Sequence, residues 1–332
     1  MNSEFHYYTT WFLAVKAGFS DPEAARLSWA CQYTDHHNRA VVIRHPRGVL
    51  ESRPSQNYSF WEDSVIQEAY LPFHFFPSWE PMSSVRIDGL VSPRDVRPNS
   101  PGVKALLVAA LRTRNLERIG IALHTFADSW AHQNFTAWAE DFNRLPTGAR
   151  VDPSQGLPAP GHSQAGWQPD EWLTEWTDSR LNESRIVNRV RYLDCAGKIY
   201  RYLCVFRGRE FADQSAVLAE LETYILAGRG RDTTAERMLD LVIACSMEPY
   251  DRDGPVGRAV ELPVEDESPL PALDHIRHLG RELWNRTGLA APRELTAKPG
   301  FEDSAYASWL RAADEHRSLA LGLVRENSGS IL

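Results

Sequence analysis

The stretch HTFADSWAH, from His124 to His132, sets three polar groups at strict four-residue intervals inside an apolar segment. Positions four apart on an α-helix fall about 40° apart, so His124, Asp128 and His132 form one slanting stripe. Ile119, Ile121, Leu123, Phe126, Ala127, Trp130 and Ala131 surround that stripe, so it is not a wet helix face. A carboxylate buried there without partners is costly and calls for a cation or several donors. Two readings follow. Asp128 accepts from a histidine one turn away in an internal hydrogen-bonded cluster, or it shares metal ions with the imidazoles. Imidazole and carboxylate at i, i+4 is a geometry by which helices present ligands to zinc or iron. His124 and His132 lie about 12 Å apart along the axis, too far to share one ion easily. The metal reading therefore predicts two ions about 3.5–4 Å apart with Asp128 as the bridge, and further ligands from elsewhere in the chain.

Histidine and aspartate do recur in unusual settings. His6 lies in EFHYYTTWF, Asp35 in QYTDHHN ahead of His36 and His37, and His74 in LPFHFFP among phenylalanines. His162 lies in PGHSQAGWQPDEW, with Asp170 eight residues on. Each alone is an ordinary core or surface residue. Eight of the eleven histidines fall in the first 170 residues, most of them among apolar or aromatic neighbours. Taken together they favour a metal centre.

A net charge of −8 argues against a chain built to coat duplex nucleic acid or an anionic membrane, while a small phosphate-bearing substrate stays compatible. Cys31, Cys195, Cys204 and Cys245 form no CxxC pair and read as buried free thiols. MNSEFHYYTTWFLAVKAGF lacks a basic n-region and a small-residue cleavage site, so it reads as a helix and not as a signal peptide. No apolar run approaches the length of a membrane span, and the cytoplasm is the expected location.

Helical periodicity dominates. Helices are expected at 3–16, from Asp21 as N-cap to about Asp35, over VKALLVAALRTRN, over LERIGIALHTFADSWAHQNFTAWAEDF, and through most of the chain from 170 to 247. Residues 39–60 read as short extended pieces around a turn at His45-Pro46-Arg47-Gly48, YLPFHFFPSWEP (70–81) as a loop or strap, and 144–169 as a long surface loop. The expected fold is all-α, a multi-helix bundle with a small extended or loop insert near 39–81. It divides into a helical metal-binding domain over 1–250, an acidic, proline-rich linker over 251–271, and C-terminal helices within 272–332 that pack on the core.

The motifs FHYYTTWFLAVKAGF, WACQYTDHHN, FHFFP, GIALHTFADSWAHQNF and GHSQAGWQPD resemble the zinc-dependent phospholipase C and single-strand nuclease superfamily. More narrowly they look like a bacterial domain of unknown function, taken as a distant member. The resemblance covers about residues 3–210 and implies an all-helical fold with up to three zinc ions. By that likeness Asp35, His74, His124 and Asp128 surround a first ion, His132 and His162 hold a second with Asp128 bridging, and His6 serves a third. Characterised members ligate zinc through the amine and carbonyl of a processed N-terminal tryptophan. Here Met1 stands five residues ahead of His6, and no export signal suggests processing. The carboxylate expected four residues after the last histidine is Gly166 here, with Asp170 as a substitute from the loop. Two zinc ions are thus better supported than three, with iron or manganese as other occupants.

The expected function is metal-dependent hydrolysis of a small phosphoester, a nucleotide or a lipid head group, by a metal-activated water. Asp128 and Asp170 are its catalytic candidates. Trp130, Phe73 and Trp167 could stack on substrate, and Arg44, Arg47, Arg189 and Arg191 could clamp phosphate. Two other classes stand beside it. One is an oxygen-activating di-iron type of site, although the chain has no E-x-x-H motif. The other is a non-catalytic chain with a structural metal site or polar core, whose C-terminal helices, with His275 and His278 on one face, form a partner surface.

Overall fold

The computed structural model describes residues 1–57, 62–79, 85–145, 160–262 and 292–328. At its centre is the helix Leu116–Ala131, in which every residue from Glu117 to Ala131 is buried. A helix buried on all sides needs a shell of other elements around it, and this one has such a shell. Asp21–Tyr33, Pro101–Thr113, Asn188–Arg207 and the C-terminal helix Ala305–Ser328 pack around it, joined by two stretches of π-helix, Glu4–Thr9 and Ile66–His74.

Local chemistry sets the helix ends. Asn115 caps the central helix by accepting from Arg118 N at 2.8 Å. Ser100 caps Pro101–Thr113, and Arg114 ends it in the left-handed region at φ 56°. The helix from Asp21 is capped by Ser20, not by Asp21, since Ser20 and Glu23 form a reciprocal capping box. Glu4–Thr9 runs on as the α-helix Thr10–Lys16.

The all-α expectation is corrected by two sheets. Val41–His45 (β1) and Gly48–Ser52 (β2) form the expected hairpin, but β1 also pairs in parallel with Arg293–Ala297, which in turn pairs antiparallel with Val260–Glu261. The protein is therefore a helix-rich mixed α/β fold with a four-stranded mixed sheet. The partner of β1 lies about 250 residues away, and hydrophobic periodicity carries no information on such pairing. A second, two-stranded sheet joins Glu175–Thr177 to Arg185–Val187 where helix was expected. The interruption has a cause in Asp178, whose carboxylate accepts from Arg180 N at 3.1 Å and from its guanidinium at 2.9 Å, closing a turn. Helix resumes only at Asn188.

The strap at 70–81 differs as well. Residues 70–74 belong to the π-helix Ile66–His74, with Phe75 N donating to Tyr70 O at 2.7 Å. Within 251–271, Gly254–Ala259 is helical and Val260–Glu261 is a strand. Residues 263–271, the helix expected at 272–287 with His275 and His278, and 146–159 of the long loop lie outside the described residues. One hydrophobic core takes in residues from Met1 to Val324, so the C-terminal helix shares it. Among the described residues no helix is long and apolar enough to cross a membrane.

Gly120 lets the central helix approach Asp21–Tyr33. A Cβ there would stand 2.4 Å from Leu27 O and 2.8 Å from Ala30 Cβ. Gly120→Ala is expected to force the helices apart and lower stability by about 1–3 kcal/mol, read as a shift in the denaturant midpoint at unchanged m-value.

Candidate metal centre

Two of the site histidines sit on π-helix, a rare conformation often found at functional sites. In Glu4–Thr9 the wide turn is supported by Thr9 and Thr10, whose hydroxyls donate to Glu4 O at 2.9 Å and Phe5 O at 3.2 Å. This stretch aims His6 at the central helix. In Ile66–His74, Pro72 has no N–H to give to a helical ladder, and the turn delivers His74 from the other side.

The first cluster gathers at Asp128, which is 1% exposed. Asp128 Oδ2 lies 3.1 Å from His74 Nδ1 and 3.2 Å from His124 Nε2, and those two nitrogens are 3.1 Å apart. Asp35 Oδ1 completes the group at 3.5 Å from His124 Nε2 and 3.8 Å from His74 Nδ1. The outer nitrogens are committed elsewhere. His124 Nδ1 donates to Cys31 O at 3.0 Å, and His74 Nε2 donates to Ser55 O at 3.0 Å. A carbonyl only accepts, so the protons of the neutral rings lie outward and the inner lone pairs face each other. Two such lone pairs at this distance repel unless a cation or an extra proton lies between them. A tetrahedral zinc with bonds of about 2.0–2.1 Å holds its ligand atoms about 3.3–3.4 Å apart, close to this set of spacings. Asp35, His74 and His124 have ligand atoms close enough together to share such an ion, and Asp128 Oδ2 stands beside both imidazoles.

A second cluster lies at the other end of the stripe. His132 Nε2 is 3.1 Å from Asp170 Oδ1, and His162 Nε2 is 3.3 Å from Asp170 Oδ2. Again the outer nitrogens are used, with His132 Nδ1 donating to His74 O at 2.8 Å and His162 Nδ1 to Gly166 O at 3.1 Å. His124 and His132 thus fall in different clusters, as their separation along the helix requires. Asp170, on the short turn Gln168–Asp170, stands with both imidazoles where Gly166 cannot.

The sharing of Asp128 differs from expectation. Its Oδ1 faces not the second cluster but His6 Nε2 at 3.1 Å and the amino nitrogen of Met1 at 2.5 Å. That amine also lies 3.2 Å from Asp170 Oδ1 and so links the two clusters. The amine is the donor that sequence reasoning missed, because its place depends on how the first turn docks. His6, Cys31 and His124 also lie close enough to share an ion. However, His124 Nδ1 is already engaged with Cys31 O, and burial pushes the Cys31 thiol well above its ordinary pKa. The grouping around Asp128 has the stronger claim.

The charged groups shift one another. Burial would raise the carboxylate of Asp128, but the Met1 ammonium and the surrounding histidines hold it well below its ordinary range. Asp170 is likewise held low, against burial, by His162, the ammonium and His132. Asp35 is lowered too, against burial, by His124, His6 and His74. Burial would depress the Met1 amine, yet Asp128, Asp170 and Asp35 outweigh it and push it up to about 11. Burial, with His124 and the ammonium, takes His6 down to about 3, so it is neutral. Three carboxylates are therefore balanced by one ammonium together with protons on the imidazoles, His74 among them, and bound cations could take the place of those protons.

The clusters floor a cavity of about 560 Å³, within the range of small-molecule sites. Asp35, His74, Asp128, His132, His162 and Asp170 reach its surface, whereas His6 and His124 stand behind them, fully buried. Of the proposed aromatic contacts only Trp167 lines the cavity, 76% exposed. Trp130 is core, with Nε1 donating to Asp194 Oδ2, and Phe73 is core against His316. Arg44, Arg47, Arg189 and Arg191 do not line it; Arg252 does, with Gln32 and Tyr250. A family model described as "Family of unknown function (DUF6765)" matches residues 1–323. The chain belongs to this family. No curated protein and no solved structure matches it. The family match spans every residue of both clusters.

Metal binding must displace protons. Burial lowers His74, but its bond to Asp128 and the charges of Asp128 and Asp35 outweigh that and raise it above its ordinary 6.5. In the metal-free chain this proton stabilises the fold fully below pH 6.5, and that contribution is lost as pH rises through the raised value. Metal affinity is expected to climb over the same rise, with proton release detectable by titration calorimetry in buffers of different ionisation enthalpy. Release-free, pH-independent binding would contradict this assignment.

Proposed function

We propose that the chain is a metal-dependent hydrolase of small phosphoric esters, with zinc as its metal. The observation that carries the reading is the meeting of Asp35, Asp128 and Asp170 with three imidazoles at the floor of a cavity of small-molecule size, backed by the buried His6 and His124. Asp35, His74, His124 and Asp128 would hold one ion, and His132, His162 and Asp170 a second. The Met1 amine and His6 would serve as donors to a third beside Asp128. Their nitrogen and oxygen donors suit zinc, with iron or manganese as competitors for the same set. When bound, such ions supply Lewis acidity and a water acidic enough to yield hydroxide near neutral pH.

The chain's own residues supply the rest. Outward N–H bonds to carbonyls lock His74, His124, His132 and His162 in one tautomer each, so their inner lone pairs need no reorganisation on binding. Asp128, held ionised, turns one oxygen to His74 and His124 and the other to His6 and the Met1 amine. Asp170 is partly exposed at the cavity wall, where a carboxylate oxygen could orient a water by accepting a hydrogen bond from it. Arg252 is the one arginine among the described lining residues; its Nε and Nη2 are engaged by the Asp253 carboxylate, so it would meet a phosphate oxygen only through its remaining N–H groups or by exchanging that partner. Trp167 and Tyr70 offer apolar faces for the organic part of the ester. A cavity of this size does not admit a duplex.

The test is hydrolysis of bis-p-nitrophenyl phosphate by zinc-loaded wild type and Asp128→Asn, with metal content measured on both. Loss of several kcal/mol of transition-state stabilisation should cut kcat/KM by about 100-fold or more in the variant. Equal turnover by the two proteins would remove the proposal.

A further inference from the structure

We infer that Arg317, on the C-terminal helix and far from the cavity in sequence, is a positioning residue for the ligand His74. This rests on the metal-centre reading above. His74 is fixed at two points, by the π-helix Ile66–His74 that carries it and by Ser55 O, which accepts from its Nε2. Arg317 is fully buried, and its guanidinium binds both of those segments at once. Nε donates to Glu68 O at 2.8 Å, within the π-helix. Nη2 donates to Arg53 O at 3.0 Å and Pro54 O at 2.9 Å, on the two residues just before Ser55. Nη1 donates to Asp314 at 2.5 Å.

The neighbouring residue extends the same grip. His316 Nδ1 accepts from Arg118, a permanent donor, so the ring proton lies on Nε2, which donates to Pro72 O at 2.9 Å. Phe73, the residue before His74, lies between the two, with the His316 ring stacked at 5.3 Å and the Arg317 guanidinium 5.2 Å from its centroid. A rigid planar fork with five donors can tie two chain segments together at fixed distance, which a lysine ammonium on a flexible stem cannot do. A buried guanidinium is expensive to desolvate, and here most of its donors go to main-chain carbonyls around one ligand. The exposed pair Arg53–Glu68 joins the same segments at 2.8 Å on the surface, where such a pair holds little.

The experiment uses the full chain carrying His162→Ala, which disables the second cluster, stripped of metal and titrated with Co²⁺ while its visible absorption is read. Arg317→Lys in that background is expected to weaken Co²⁺ binding by about 10–100-fold, the usual effect of losing an outer-shell partner, and to change the band shape. In a His124→Ala background, which leaves the second cluster, the same substitution should weaken Co²⁺ binding by a smaller factor than at the first site, because that cluster meets the π-helix only through His74 O, the acceptor of His132 Nδ1. A merely structural role would lower the melting temperature and leave the first-site affinity and spectrum unchanged, and that result overturns the inference. If Arg317→Lys does not fold, Arg317→Gln carries the same comparison. A parent chain that takes up no Co²⁺ overturns the metal-centre reading and this inference with it, whereas a parent and variant that bind equally well overturn this inference alone.

Discussion

An ionised carboxylate in the middle of a helix with no wet face is the constraint around which the rest of the molecule is arranged. Asp128 is buried as deeply as the leucines and isoleucines beside it. Desolvating such a charge costs several kcal/mol after relaxation, and no single neighbour repays that. The fold answers by bringing positive and donating groups from far along the chain, an amine from residue 1, imidazoles from residues 6, 74 and 124, and a second cluster one turn further on. Because those groups bring two further carboxylates with them, the pocket needs imidazole protons or bound cations to balance its charge. The proposed metal centre rests on that demand together with the close spacing of the clustered side chains.

Around the inner groups lies a layer of main-chain carbonyls, and it decides what the imidazoles can do. Cys31, Ser55, His74 and Gly166 each accept one outward ring N–H. His74 takes part twice, as a ligand candidate through its ring and as an orienting acceptor for His132 through its backbone. The two clusters are therefore coupled mechanically through the end of one π-helix. That π-helix is in turn gripped by the C-terminal helix, so residues more than 240 positions away belong to the same device.

The helical stripe was readable because it depends only on the 3.6-residue period and on the apolar residues flanking it. Asp35, His74 and His162 were readable for a related reason, as polar groups in aromatic or apolar settings that need an explanation. The side chains mistaken for substrate contacts, Trp130 and Phe73, illustrate the limit. An aromatic beside a ligand in sequence is on another face of its helix, and both turned inward to the core. Of the residues missed, the Met1 amine and Arg252 carry no local signature. Gln32 donates to Asp35 at 3.4 Å, an i,i+3 contact at the end of its own helix that the spacing alone could have suggested.

The amino-acid sequence by itself determined that a large, helix-rich core must enclose a histidine–aspartate stripe, since burial and periodicity are local properties of the chain. It also determined which other residues were candidates to meet that stripe. Only the tertiary structure decided that Asp128 turns its second oxygen to His6 and an amine and not to His132, that Asp170 meets His132 and His162, and that a strand near residue 295 closes a mixed sheet. Those outcomes hang on distances between segments far apart in the chain. They are fixed by side-chain packing and by the hydrogen-bond geometry of π-helical turns, which composition and spacing do not encode.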